Sequence, residues 1–182
     1  MKKFVPAIIC TILILVITLI GGLIIQAKLH PVKFKNQIET YANKFNLPPA
    51  LVASLINTES SYNQNARSSK NAIGLMQIKL STAEYMIEFY KLNTTITENE
   101  LYDVNKNLYF GCMYLNYLFK KFDNFTTAIA SYNAGETNVR AWLKNVNYSN
   151  DGKTLTKIPF NETDDYVKKI NKNLKFYKKI YK

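Results

Sequence analysis

Cysteine is almost absent from this chain, with Cys10 and Cys112 as its two representatives. The first lies in an apolar N-terminal run and the second in a predicted helix. A residue inside a bilayer cannot pair with one in a soluble domain, so no disulfide is expected. Histidine is scarcer still: His30 stands alone, with no Cys, His or Asp cluster to join, and neither a metal nor a cofactor is expected. Internal repeats and low-complexity tracts are missing, which excludes a repeat architecture and a disordered chain. Acidic residues are in deficit, 13 against 24 Lys plus Arg, for a net charge of +11. Such a surplus favours contact with polyanions, whether nucleic acid, anionic lipid or wall polymer, without choosing among them.

What is present begins with an uncharged run from Val5 to Ile25, preceded by Lys2 and Lys3. About 20 apolar residues suffice to cross a hydrocarbon core as a helix, so this segment predicts a membrane span. The leading positive pair favours an inside N-terminus and an outside C-terminus, although Lys28, Lys33 and Lys35 blur the asymmetry. A cleaved signal peptide ending at Ala27 is the competing reading, but the run exceeds the usual apolar core of a signal and Ile25 fits the cleavage pattern poorly. Lipidation at Cys10 fits less well, because "PAII" lacks the small residues that such a site needs. The expected organisation is an anchor over 1–28, a linker over 29–35 and one domain over 36–182, of a size that allows a single core.

Within that domain the apolar spacing is helical throughout. Ile38, Tyr41, Ala42 and Phe45 mark one helix; "NLPPA" breaks it and starts a second, about Pro49 to Thr58, with Pro in its first turn. Leu51, Val52, Leu55 and Ile56 form its buried stripe, which places Glu59 at its C-terminal end. A polar loop over 60–73 leads to helical spacing from Gly74 through Leu92, and 104–122, 125–134, 136–144 and 164–181 continue it, with Gly135 as a stop. The segment 145–160 carries an "NDG" turn signal and predicts a flap or a short hairpin. No convincing strand alternation appears, and the fold class is all-α.

Three segments in order, "ESSYNQNARSSKNAIGLMQIKLSTA" (59–83), "AIASYNAGETNVRAWL" (128–143) and "IPFNETDDYVKKI" (158–170), resemble the successive motifs of the soluble-lytic-transglycosylase-like family. The resemblance runs from about 36 to 177. It implies a lysozyme-like helical fold with a sugar-binding cleft, and cleavage of the MurNAc–GlcNAc linkage of peptidoglycan; with the N-terminal run read as a single-pass anchor, the expected place is outside the plasma membrane.

Glycosidic cleavage needs an acid for the leaving oxygen and then a base for the attacking group, and one carboxyl can serve both in turn. Glu59 matches the family's catalytic glutamate, and a carboxyl at a helix C-terminus faces the negative end of the helix dipole, which helps it hold its proton. The family lacks a second carboxylate as nucleophile and uses the muramyl 6-hydroxyl, so the resemblance implies 1,6-anhydromuramyl ends. By the same matching, Ser68, Met76, Gln77, Tyr132, Asn133 and Tyr166 are expected to touch the substrate or the acid. Glu162 is expected to cap or orient the last helix. Asn71, Leu80 and Pro48 depart from the family pattern, which has Gly, Pro and often Asp at those places; none of the three touches Glu59.

Two rivals remain. A hydrolysing muramidase of the same fold would leave reducing ends, and a catalytically silent wall-binding module would cut nothing. The basic C-terminal helix, rich in Lys around Ile170, Leu174 and Tyr177, reads first as amphipathic with a solvated face. Nucleic acid is not an expected partner, because no base-reading motif accompanies the charge and the domain is expected to lie outside the cell.

Overall fold

The computed structural model describes residues 5–181, and side chains from residue 12 onward except that of Leu23. Lys2, Lys3 and the Cys10 side chain, on which the orientation and lipidation readings rest, lie outside the described residues. The chain divides into two compact units between Lys33 and Phe34. The first is dominated by one helix, α1 (Val5–Leu29). Its stretch Ile12–Leu29 is long and apolar enough to cross a membrane by length and composition, and large side chains such as Leu15 and Leu19 are exposed.

The second unit is helical: α2 (Lys35–Lys44), α3 (Pro49–Ser60), α4 (Leu80–Phe89), a short 3-10 turn (Asn99–Tyr102), α5 (Val104–Lys121), α6 (Phe125–Ala134), α7 (Glu136–Leu143) and α8 (Asn161–Tyr177). Among the described residues no strand forms; Arg67, Ile73 and Ile78 make isolated bridges only. At the centre lies α3, whose residues 50–57 are all buried. Its sequence explains this, because "ALVASLI" has no charged side and the three Ser/Thr hydroxyls of α3 turn back onto the helix, Ser54 to the Ala50 carbonyl, Thr58 to that of Ser54 and Ser60 to that of Ile56. Against α3 pack α2 and most extensively α8. The longest helix of this unit, α5, contacts α2, α4 and α6, and starts at Asp103, whose carboxylate accepts from the Lys106 N–H at 2.9 Å.

Three expectations need correction. Helical spacing from Gly74 onward predicts a helix, but α4 begins only at Leu80. Residues 73–78 close a tight turn instead, with Ile73 and Ile78 exchanging backbone hydrogen bonds at 2.9 and 3.0 Å. Gly74 has φ +77, and a Cβ there would meet the Leu101 carbonyl at 2.7 Å and collide with the Asn107 amide, so no other residue fits. Leu75, Met76 and Ile78 are buried as helical spacing would have it, yet by a turn. The segment 145–160 is neither flap nor hairpin: Asp151 caps the N–H groups of Lys153 and Thr154 at 2.8 and 2.7 Å, and buried Leu155 donates its N–H to Thr127 Oγ1 at 3.2 Å. The last helix also begins earlier than its apolar spacing suggests, at Asn161 rather than 164, and ends at Tyr177.

The 73–78 turn hangs on one buried amide. Asn107 of α5 accepts from the Met76 N–H at 2.8 Å and donates to the Ile73 and Leu101 carbonyls, each at 2.8 Å. Removing it strands one buried donor and two buried acceptors, each worth about 1–3 kcal/mol. Asn107→Ala is therefore expected to destabilise the domain by about 3 kcal/mol or more in urea unfolding. A loss under about 1 kcal/mol would mean that water takes over these groups and that the amide is not the clamp.

Candidate active site

Because α3 is buried along most of its length, its last turn emerges beside α8, and there the chain reverses: Ser61 and Tyr62 both take positive φ, 50° and 63°. Glu59 sits in that last turn. It opens on a cleft of about 710 Å³ lined by Thr58, Asn133 and Tyr166, with two acids of α8, Glu162 and Asp165, and three of its lysines. Its Oε1 accepts a hydrogen bond of 2.6 Å from the Tyr166 hydroxyl. Burial pushes the Glu59 carboxyl up to about 7, against the opposing pull of the Tyr166 hydrogen bond. The negative end of α3 acts in the same direction as burial. A carboxyl balanced near neutrality can give a proton and take one back, which is what an acid/base group at a glycosidic oxygen must do.

Around Glu59 the site is braced from three sides. On α8, Tyr166 is buried and held well above its ordinary value by burial, then by the Glu59 charge, so its hydroxyl stays a donor. From α6, Tyr132 donates to the Met76 carbonyl at 2.8 Å, and burial followed by the Glu59 charge raises it likewise. Asn133, next in sequence, accepts from Thr163 Oγ1 at 2.7 Å, which leaves its amide donors without a protein partner among the described residues. Beside Glu59, Ser60 donates to the Leu75 carbonyl at 2.9 Å and so ties the end of α3 to the 73–78 turn. A smaller pocket of about 190 Å³ adjoins, lined by Gln77, Thr82, Tyr114, Tyr132 and Gly135 and sharing Asn133 with the cleft.

The expected site residues thus separate. Glu59, Asn133 and Tyr166 share the cleft, and Gln77, Tyr132 and Asn133 share the adjoining pocket. Met76 is a correction: its side chain is fully buried against Gly111, where a Cβ would come within 2.8 Å of the Met76 Cβ, so it offers no surface to a sugar. It contributes instead the carbonyl that holds Tyr132. Ser68 lies outside both pockets, its hydroxyl accepting the N–H groups of Lys70 and Ala72 at 3.3 and 3.0 Å within its own loop. Glu162 is in the first turn of α8, where a helix-orienting acid belongs, but it also lines the cleft with Glu59. No group of His, Cys, Asp and Glu among the described residues is placed to hold a metal.

Comparison with known proteins bears on this geometry directly. Residues 36–155 match the model of the transglycosylase SLT domain. The chain belongs to the transglycosylase SLT domain family. Among curated relatives, the soluble lytic murein transglycosylase of Escherichia coli K12 is 30% identical over 142 residues, which is 77% of this chain and 22% of that protein. Membrane-bound lytic murein transglycosylase E of Buchnera aphidicola is 44% identical over 88 residues, 47% of this chain and 39% of its own length. The chain therefore spans less than a quarter of the length of its soluble relative. Among solved structures, the 70 kDa soluble lytic transglycosylase of Escherichia coli superposes with a TM-score of 0.72 at 26% identity, over 83% of this chain and 25% of that one. An inactive glutamate-to-glutamine mutant of lytic transglycosylase Slt from Pseudomonas aeruginosa gives 0.70 at 27% identity, over 81% and 24%. The helical, lysozyme-like fold expected from the sequence is the fold of this family.

The matched SLT segment ends before α8, which supplies Tyr166, Thr163 and Glu162 to the site. Thr58, Thr163 and Asn173 join the expected residues although nothing in the sequence motifs singles them out. Asn173 donates to Thr58 Oγ1 at 3.0 Å and fastens α8 to α3 at the residue next to Glu59. A polar residue on the inner face of an amphipathic helix is a signal for such a tie, since it must find a partner there.

Proposed function

We propose that the chain cleaves the MurNAc–GlcNAc linkage of peptidoglycan, with Glu59 as acid and then base, and leaves 1,6-anhydromuramyl ends without adding water. The observation that carries this reading is the Glu59 carboxyl, pushed up to about 7 in a sugar-sized cleft and tethered by Tyr166. A solved relative that a glutamate-to-glutamine change makes inactive supports an essential carboxyl in this fold. In the first step Glu59 gives its proton to the bridging oxygen as the C1–O bond breaks. The carboxylate so formed then takes the proton of the muramyl 6-hydroxyl as that oxygen bonds to C1. The proton returns to Glu59, and the enzyme is ready for another cycle. Tyr132 offers a ring wall, and Asn133 and Gln77 offer amides to sugar hydroxyls and acetamido groups.

One observation favours a second reading. Glu162 and Asp165 also line the cleft, and a second carboxylate that activates water would make the enzyme a hydrolysing muramidase with reducing ends. Digestion of purified peptidoglycan by the full chain in detergent, analysed by mass spectrometry, separates the two. Anhydro ends are the expected product; reducing ends would replace the proposal by hydrolysis, and intact strands would reduce the domain to a binding module.

For location, we propose a single-pass plasma-membrane protein with α1 as anchor and the catalytic domain outside the cytoplasm. The length and apolarity of α1 support it, as do relatives that are named membrane-bound. Peptidoglycan strands are then the partner, and nucleic acid is not.

A further inference from the structure

Beyond the cleft, α4 presents an aromatic surface that the chemistry at Glu59 does not use. Thr82, which lines the smaller pocket, is followed on the same helical face by Tyr85 and Phe89, three and seven residues on. Both rings are open to solvent, 42% and 49% exposed, and they adjoin each other with centroids 6.0 Å apart, so they form a patch and are not scattered single residues. They rest on Tyr117 of α5, with ring centroids 5.8 and 5.0 Å away in edge-on contact. Beneath them the rings connect to the site through the core: buried Tyr117 stacks on Tyr114 at 6.2 Å, and Tyr114, which lines the smaller pocket, lies 5.4 Å from Tyr132. On the outside, one face of α4 leads from Thr82 at the pocket to the exposed rings of Tyr85 and Phe89 at its outer end.

This surface is rigid. The Tyr117 hydroxyl donates to Glu136 at 2.7 Å, and so it accepts from Tyr85, whose oxygen is 3.0 Å away. Lys121 also donates to the Tyr117 oxygen, at 3.1 Å, and both Lys121 and Arg140 pair with Glu136. Locked rings lose little freedom when a ligand arrives, which is what a stacking platform requires. From Thr82 to Phe89 the platform is about 10 Å long at 1.5 Å per residue.

We infer that Tyr85 and Phe89 form an outer subsite on which further sugars of the same glycan strand stack, so that the protein favours long strands over short ones. The inference rests on the reading of the cleft as a peptidoglycan site. A strand is the occupant to which continuity points: a chain threaded through the cleft past Asn133 and Thr82 runs onto these rings. A pyranose also presents a flat C–H face to an aromatic ring while its hydroxyls stay wet.

The test measures binding without turnover. Full-length Glu59→Gln protein in detergent micelles is titrated with peptide-free GlcNAc–MurNAc tetrasaccharide and with strands of eight or more sugars. Longer strands are expected to bind more tightly. Adding Tyr85→Ala and Phe89→Ala is expected to weaken the long strand about tenfold and leave the tetrasaccharide unchanged. Phe89→Trp keeps the long-strand affinity, which guards against a folding defect. Equal affinity for long strands with and without the two rings would overturn the inference alone, and so would an equal loss on both lengths. If neither strand binds the Glu59→Gln protein, the reading of the cleft falls and this inference falls with it.

Discussion

Glu59→Gln is expected to lower glycan cleavage by about 10²–10⁴-fold and at the same time to stabilise the domain above neutral pH. The activity loss follows from the proposed acid/base role, since glutamine can neither protonate the bridging oxygen nor accept the proton of the attacking hydroxyl. The stability gain follows from the same burial that suits the carboxyl to its task. In the unfolded chain a glutamate ionises near its ordinary value, whereas in the fold it holds its proton up to about 7. Below the unfolded value both states are protonated, and the group has no effect on the folding equilibrium. As pH rises between the two values the unfolded chain sheds a proton that the native state keeps, and the native state loses ground. Above about 7 the loss is complete, on the order of 3 kcal/mol by linkage. Glutamine carries no such penalty and can still accept from Tyr166. Chemical unfolding at pH 4 and pH 8 checks this: the variant and the parent should match at the lower pH, and the variant should be more stable at the higher. A variant less stable than its parent at pH 8 would mean that the carboxylate, once formed, is held favourably, and that its rise to about 7 is not there.

Wild-type turnover should follow the same titration. With Glu59 protonated as the acid, kcat/KM is expected to fall as pH rises through about 7. A carboxyl at its ordinary value would be ionised throughout that range and would be a poor proton donor, so the alkaline limb reports directly on burial at the end of α3.

How much of this could be read in the sequence depends on whether a residue's spacing and its surroundings say the same thing. For α2, α3, α5, α6 and α7 the apolar stripe and the flanking Pro, Asp, Asn or Gly agree, and these helices stand close to where the sequence puts them. At 74–79 they conflict. Leu75, Met76 and Ile78 imitate a helical face, yet Gly74 and Gln77 both take positive φ, 77° and 50°, which no α-helix allows. What decides the matter is Asn107, 31 residues away from Met76, and no local pattern announces that partner. Met76 is buried for the same reason. Its motif is a signature because the turn needs its carbonyl and its packing, and a sugar is not required to explain it. Ser68 shows that a polar loop residue near an acid in sequence can be spent on closing its own loop. Tyr166 shows the reverse, since it is on the buried stripe of α8 with Val167 and Ile170 and still delivers its hydroxyl to Glu59. Core and site are not alternatives for a tyrosine, whose ring packs while its oxygen reaches out.

That double nature makes Tyr166→Phe the sharpest probe of the site. The ring, and with it the packing of α8 on α3, is retained; the 2.6 Å hydrogen bond to Glu59 Oε1 is lost. Two consequences follow from one missing proton donor. Tyr166 now lowers the Glu59 carboxyl against burial, so without it the carboxyl rises above its present value of about 7, and the alkaline limb of the pH–rate profile moves to higher pH. Meanwhile the rate falls under the proposed mechanism, in which charge develops on Glu59 as its proton passes to the leaving oxygen and a donor placed to meet that charge lowers the barrier. Loss of one such donor costs about 10²-fold in kcat. The variant should therefore be slower at every pH and yet keep a larger share of its own maximum at pH 9 than the parent does. KM should change little if Tyr166 acts through Glu59 and not on the sugar. A lower rate with an unmoved pH profile would make Tyr166 a packing residue whose hydrogen bond to Glu59 is incidental to the reaction.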